Sequence, residues 1–364
     1  MMGFLLHNRT TQLMQTLPHD PLVQISLYLD AIDLRAMALV SRFHNSIQDN
    51  QLVWESLFRT HWNRCNFYMD PNMPIELSPA LRAAYPRPSD AFRFLTHCVE
   101  RVPSFADICL TNAHATSSVI NHRIEPVAYD NGQVVTLALA KDAVGGGNRC
   151  VRANVPFKAS PRVTVFNTVD GKWLVDVLYD GYFEISISEP LHQPTRDLRD
   201  MCIAIGVATK DFEVVDQQPG WDDHSYGYHS DDGQFFTNGQ PRPFAMRFGV
   251  HDTIGCGIVR KMNSNESTIY FTKNGVRLEP SFPCSHEELF PVVGIDAEYT
   301  VRLNCGRTPF QCPPPTSGDV CNTALKELQG HPWPNFHNKP RSIVDHLWSM
   351  VNSFVKSVMP PCQL

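Results

Sequence analysis

The 364-residue chain contains no C-x-x-C pair, no apolar run long enough to cross a bilayer and no surplus of basic residues. Each absence removes a class of function. Without compact Cys/His pairs, a structural zinc site of the common kind is not expected. Without about 20 consecutive apolar residues there is no transmembrane-helix signal. A formal charge of −6 gives no support to a nucleic-acid-binding face, which needs clustered Lys and Arg. A leader is lacking too: "MGFLL" is too short for the apolar core of a signal peptide, so a cytoplasmic or nuclear chain, or one found in both, is expected. Gly145 to Gly147 are followed by "NRC" rather than Gly-Lys-Ser/Thr, which makes them a turn and not a phosphate cradle.

What is present describes an ordinary globular protein of more than one domain, with 43% hydrophobic and 19% charged residues. The eleven cysteines are odd in number and scattered, so they read as reduced thiols. Most, such as Cys202, Cys256 and Cys305, lie in apolar strand patterns and are expected in the core.

Residues 13–60 are helical in pattern. Pro18 and Pro21 suit a first helical turn, and Leu22, Ile25 and Leu29 then recur at helical spacing. Asp33 is a good N-cap for a second helix with Leu34, Met37 and Ala38 as its stripe, and Trp54, Leu57 and Phe58 form a last apolar cluster. So short a unit has little core of its own and should dock on a partner. The run "LPHDPLVQISLYLDAIDLRAMALVSRFHNSIQDNQLVWESLF" resembles an F-box, with Phe43 where that family usually has tryptophan. The resemblance implies binding to a Skp-type adaptor through Leu17, Pro18, Asp20, Leu22, Ile25, Leu29, Leu34 and Val40.

Residues 61–102 read as a partly helical connector, with Phe92, Leu95 and Val99 on one helical face. From about residue 103 to 310 the period becomes two. "GYFEISIS" alternates cleanly, and Asn131-Gly132, Asp170-Gly171 and Asn274-Gly275 are hairpin signals because both turn positions favour positive φ. Many short strands with tight turns predict an antiparallel β-sandwich. "GWDDHSYGYHSDDGQFF", Gly220 to Phe236, lacks either period and is expected to be a long surface loop.

Blocks in order, "VRANVPF", "GYFEISI", "CIAIGVATKDF", "PGWDDHSYGYHSDDG", "DTIGCGIV", "IYFTKNG", "ELFPVVGI" and "NCGRTPF", resemble the SPRY domain of Ran-binding-protein-like scaffold proteins, best over 151–310. Two departures stand out: an extra hairpin between Phe157 and Gly181, and Cys305 where phenylalanine is usual. The resemblance implies a loop-built groove for a peptide of a protein target, contacted by Arg152, Asn154, Trp221, Tyr226 and Tyr228. For Trp221 and Tyr228 the alternative is that they pin the loop to the sandwich.

His224 and His229 are not spaced to aim at one ion, and the aspartates around them suit turn capping, so no metal and no cofactor is expected. No nucleophile motif sits in a strand–turn–helix context, so no catalytic residue is expected. Residues 311–341 are proline-rich and read as a linker. In 342–360, Ile343, Leu347, Trp348, Val351, Phe354 and Val358 fall on one side of an amphipathic helix. Its single firm cation, Lys356, opposed by Asp345, gives little attraction to anionic lipid, so it is expected to pack on the sandwich or connector, with membrane contact or self-association as alternatives. The expected architecture is therefore α+β multidomain: a helical F-box, an antiparallel SPRY sandwich and a C-terminal helix. The two modules together imply a non-catalytic substrate receptor of an SCF-type cullin–RING ubiquitin ligase, or else a scaffold that directs no ubiquitination.

Overall fold

A computed structural model describes residues 19–27, 29, 34, 46–47, 49–105, 124–130, 133–139, 148–193, 201–260, 266–286, 288–312 and 318–330. The chain divides into two compact units, Met1–His61 with Tyr85–His97 and His331–Leu364, and Trp62–Ala84 with Cys98–Gly330. The described helices are α1 (His19–Ser26), α2 (Gln51–Cys65), α3 (Pro79–Ala84), α4 (Pro88–Cys98) and α5 (Gly318–Gly330).

In the first unit the Asn50 carboxamide accepts the Leu52 N–H at 2.9 Å and so caps α2. Leu22, Leu29, Leu34, Ile47, Val53, Trp54, Leu57 and Phe58 are buried, and Phe58 lies against Phe92 of α4 at 6.0 Å between ring centroids. Phe92 and Leu95 are buried as the helical spacing predicts. The expected amphipathic helix at 342–360 lies outside the described residues.

The second unit is a sandwich. In chain order its strands are β1 (Ile75–Leu77), β2 (Ile124–Asp130), β3 (Gln133–Leu139), β4 (Cys150–Arg152), β5 (Arg162–Asn167), β6 (Trp173–Leu178), β7 (Gly181–Ser188), β8 (Cys202–Ala208) and β9 (Ser225–His229). They continue with β10 (Gln234–Thr237), β11 (Gln240–Pro243), β12 (Thr253–Arg260), β13 (Ser267–Lys273), β14 (Val276–Arg277), β15 (Phe282–Cys284), β16 (Phe290–Asp296) and β17 (Thr300–Asn304). One sheet runs β14-β13-β12-β7-β17-β3-β2 with β15 beside β13, and the other runs β11-β10-β9-β8-β16-β4. Phe183, Ile185, Ile187, Ile254, Cys256 and Ile258 of the first sheet share one core with Ile203, Ile205, Val207, Tyr228, Val293 and Ile295 of the second. The alternation of "GYFEISIS" is thus read out directly, with Phe183, Ile185 and Ile187 on the core face.

The extra hairpin forms: β5 and β6 pair antiparallel around Gly171 at φ 76°, and β1 adds to β6 in parallel as a third small sheet. Asn274 and Gly275 likewise turn with φ of 51° and 80°. β2 and β3 join the large sheet through β17, so these two strands, which precede residue 150, complete the sandwich.

Three expectations need correction. Residues 62–84, read as connector, belong to the sandwich unit, because β1 finds a free edge on β6 that local periodicity does not reveal. The stretch 311–341, read as linker, holds α5, whose Cys321 packs against Leu178 and Ala80; "DVCNTALKEL" is a short helical pattern hidden between proline-rich flanks. Gly220 to Phe236 is not one loop but contains β9 and most of β10, because Tyr226, Tyr228 and Phe235 alternate into the core between the glycines and aspartates that hide the pattern.

The strip Gln218–Gly220 lies against the outer face of the second sheet, and two glycines make room for it. A Cβ on Gly227 would land on the Pro219 carbonyl oxygen, and one on Gly294 on the side-chain oxygen of Gln218. Gly220 itself has φ 94°, and a Cβ there would run into the Phe236 carbonyl. Gly227→Ala must push backbone, whereas Gly294→Ala meets first the end of a side chain. Gly227→Ala is expected to cost about 1–3 kcal/mol and clearly more than Gly294→Ala in urea unfolding; equal small losses would mean the strip is not held by this seat.

A buried charge network ties the extra hairpin to the sandwich. Arg260 donates its backbone N–H to the Asp180 carboxylate at 3.2 Å and its Nη2 to the Phe157 carbonyl at 2.7 Å. Arg162 donates to the Asp180 carbonyl at 2.7 Å and stacks over the Phe157 ring. Burial, with Arg260 adding repulsion, pulls Arg162 down to about 10, and burial pushes the Asp180 carboxyl up against the pull of the arginines. Asp180→Ala removes the only acid of this trio and is expected to cost about 3–5 kcal/mol in denaturant unfolding. A loss below about 1 kcal/mol would show that the guanidiniums are already satisfied without it.

Candidate partner-binding surface

The loops on either side of β8 and β9 are held by named contacts. Arg152, at the end of β4, donates Nη1 to the carbonyls of Thr209, Lys210 and Phe212 at 3.2, 2.8 and 3.0 Å, and its guanidinium lies over the Phe290 ring at 5.4 Å. Burial lowers its pKa while Asp211 and Glu213 oppose the shift. Its donors are thus turned onto the 209–212 loop. Thr209 N–H then donates to the His224 carbonyl at 2.8 Å, which joins that loop to the 218–224 loop. His286 from the loop after β15 touches the Asp223 carbonyl at 3.2 Å and meets Tyr226 edge-on.

The 218–224 loop is capped from within. Asp222 accepts the His224 N–H at 3.2 Å and the Ser225 hydroxyl, while Ser225 Oγ accepts the Gly220 N–H at 2.8 Å. Asp232 accepts the Gln234 N–H at 2.8 Å in the same manner. These are the turn-capping aspartates that the composition suggests. Trp221 projects from this braced loop with 40% of its surface exposed, and is the large aromatic of the stretch that faces outward.

The other predicted contact residues are placed differently. Tyr228 is 0% exposed, donates its hydroxyl to the Met246 carbonyl and packs among Phe244, Phe248 and Phe271. It pins the loop to the core, as the alternative expected. Tyr226 is buried, stacked near Phe235, with burial raising its pKa against hydrogen bonds from Ser285. Asn154 trades backbone and side-chain bonds with Ser104, at 2.9 and 3.1 Å, and fastens the chain that enters the sandwich. Arg152 and Asn154 are therefore braces, and the tyrosines are core. The sheet pleat decides this: Tyr226 and Tyr228 pair with Val207 and Ile205, so their side chains share the inward face.

On the helical module, Leu22, Leu29 and Leu34 are buried within the chain, so their part in an interface is to shape it rather than to offer surface. Ile25 is half-buried and remains available. Leu17, Pro18 and Val40, and the side chain of Asp20, lie outside the described residues.

Sequence reading missed His286, which nothing in "CSHEEL" marks, and it missed the cluster of Cys202, His229 and Asp231, whose atoms meet within 4.8 Å. Strand pairing and not sequence spacing assembles that set. Cys305 lines a small cavity together with Phe157, Arg162, Phe166, Asp180 and Tyr182, and burial pushes its thiol up to about 12. The described cysteines with shifts all move upward through burial, so none is activated as a nucleophile. Among the described residues no helix is long and apolar enough to cross a membrane.

Comparison with known proteins fits this architecture. The SPRY domain family matches residues 181–308, and the F-box-like family matches residues 14–60. Ran-binding protein 9 of Xenopus laevis is 38% identical over 114 residues, which are 31% of this chain and 20% of that protein. The Ran-binding proteins 9/10 homolog of Drosophila melanogaster is 36% identical over 170 residues, 44% of this chain and 16% of its own. The chain thus spans about a fifth or less of the length of these relatives. A human SPRY domain of known structure aligns with 50% of this chain and 96% of its own, at 29% identity and a TM-score of 0.36. Both matched modules are interaction domains and no enzyme family is indicated. The chain carries an F-box-like module and a SPRY domain related to those of Ran-binding proteins 9 and 10.

Proposed function

We propose that this chain is a non-catalytic substrate receptor of an SCF-type cullin–RING ubiquitin ligase, acting in the cytoplasm, the nucleus or both. The observation that carries the reading is the presence of an F-box-like module and a SPRY domain in one chain. The helical module seats on a Skp-type adaptor, and the braced loops of the sandwich hold a protein target. The chain contributes proximity and orientation, and the transfer chemistry belongs to the enzyme that the cullin–RING core recruits.

On the target side, Trp221 is the anchor: it gives large apolar area at small rotamer cost. The loops around it carry Asp211, Glu213, Asp216, Asp222 and Asp223 against Lys210, so a target segment with basic residues around an apolar side chain fits. On the adaptor side, Leu17, Pro18 and Ile25 are the contact residues, with Leu22, Leu29 and Leu34 as their support.

Two experiments test this. Recombinant full-length chain mixed with a Skp-type adaptor and cullin is expected to co-purify with them. The double change Leu17→Ala, Pro18→Ala is expected to weaken capture at least tenfold while the unfolding transition of the sandwich stays in place; undiminished capture overturns the adaptor reading. For the target, Trp221→Ala is expected to remove the specific partners recovered with wild-type chain, at a stability cost within about 0.5 kcal/mol. Arg152→Ala is expected to lower both binding and stability, since it frees three loop carbonyls. Partners retained by Trp221→Ala would move the target surface elsewhere. If they are captured but not ubiquitinated when the ligase is reconstituted, the chain is a scaffold.

A further inference from the structure

The end of the β8–β9 ladder gathers three side chains of metal-ligating type from separate parts of the sequence. His229 is paired with Ala204 across the ladder, so continuing the register by two residues brings Cys202 level with Asp231. The Ser230 N–H to Ile203 carbonyl bond at 2.9 Å shows that the register does continue. Residues level or two apart on neighbouring strands share a face. Cys202, His229 and Asp231 therefore project together on the side opposite Ile203, Ile205 and Tyr228. A thiol sulfur, an imidazole nitrogen and a carboxylate oxygen lie within 4.8 Å of one another there.

We propose that this trio is a binding site for a zinc-type divalent cation, with Cys202, His229 and Asp231 as protein ligands and water completing the shell.

Donor chemistry supports it. Thiolate, imidazole and carboxylate together suit a borderline-soft ion and not magnesium or calcium, which take oxygen. The His229 ring is already oriented: Nε2–H donates to the Pro219 carbonyl at 2.8 Å, the bond by which a ligating histidine is commonly fixed. That leaves Nδ1 with the free lone pair on the neutral ring. Phe236 stacks on the imidazole at 4.1 Å and holds its plane. A plain hydrogen bond between Cys202 and Asp231 accounts for one contact, yet Asp231 Oδ1 is buried and finds no hydrogen-bond partner among the described residues. A cysteine nucleophile is the poorer reading, because a carboxylate beside a thiol opposes thiolate formation unless a cation lies between them. Around a tetrahedral zinc ion the donor atoms stand about 3.5 Å apart, so side-chain rotation of about 1 Å closes the set. On binding, the thiol proton leaves to solvent and the sulfur lone pair goes to the metal, so uptake is favoured as pH rises. Asp296, paired with Cys202 from the other side, adds negative charge to the same strand ends.

The site lies beneath Pro219, two residues from Trp221, so a bound ion would fasten the base of the loop that carries that side chain. It does not depend on the receptor reading and is tested without a target or adaptor. Reduced, tag-free full-length chain is titrated with Co2+ alone. One equivalent is expected to give a thiolate-to-cobalt charge-transfer band with the visible bands of a four-coordinate ion, displaced by Zn2+. Cys202→Ser is expected to lose the charge-transfer band, and Asp231→Asn, at the strand end, to weaken Co2+ at least tenfold and to abolish the rise in melting temperature that Zn2+ gives the wild type. Should Cys202→Ser fail to fold, Asp231→Asn alone decides. No stoichiometric band in the wild type, or a band unchanged by these substitutions and hence due to other cysteines, overturns the site.

Discussion

The surface offered by the sandwich depends on a place where side chains are missing. On the outer face of the second sheet, Gly227 and Gly294 let the strip Gln218–Gly220 lie directly on strand backbone. Close approach of this kind needs glycine, since even a methyl group would meet the Pro219 carbonyl. From that seat the rest follows. His229 can reach the Pro219 carbonyl, Ser225 can bind the Gly220 N–H, and Trp221 is turned outward at the end of a segment that has no freedom to swing. A contact residue held in this way loses little entropy when a partner arrives, and this is where a small surface gains affinity.

The same arrangement explains why the loop region has so much aromatic and arginine chemistry that faces inward. Tyr228 fills the core with its ring and ties Met246 with its hydroxyl, while Arg152 spends its donors on carbonyls of the 209–212 loop. Irregular backbone near a core leaves carbonyls without partners, and each needs a donor. One guanidinium nitrogen of Arg152, Nη1, gathers three of them. Residue types enriched at interfaces are thus used here as scaffolding, and their identity alone does not separate the two roles.

That ambiguity marks how far the sequence could be read. Hairpins at Asp170-Gly171 and Asn274-Gly275, the inward face of "GYFEISIS" and the helical burial of Phe92 and Leu95 follow from short-range rules, and the structure has them. Tyr226 and Tyr228 were misleading because "SYGYH" alternates small and large residues and so looks like loop composition, whereas its alternation is that of a strand. β1 and α5 were invisible for another reason. Three residues of strand and a helix between proline-rich flanks have no strong period of their own, and tertiary partners decide them. The grouping of Cys202 with His229 and Asp231 depends on the β8–β9 register, and one residue of slip of β9 would turn His229 and Asp231 away from Cys202.

The sandwich unit also extends beyond the segment that resembles its relatives. Glu184 is buried in the β7 strand, and burial raises its pKa against the hydrogen bonds it accepts. Those bonds come from Tyr182, at 2.9 Å, and from the backbone N–H groups of Gln311 and Cys312, at 3.1 and 3.0 Å. The last two donors lie past residue 308, where the SPRY match ends. Further on, Cys321 of α5 approaches the buried Asp176 carboxylate at 3.2 Å and shares a small apolar cluster with Leu178 and Ala80. Two buried carboxylates of the central strands therefore take partners from outside the matched region. A buried acid that loses its donors is left with the full cost of desolvation. For this protein the domain that physical chemistry defines is larger than the one sequence similarity defines: it starts before β1 and ends with α5.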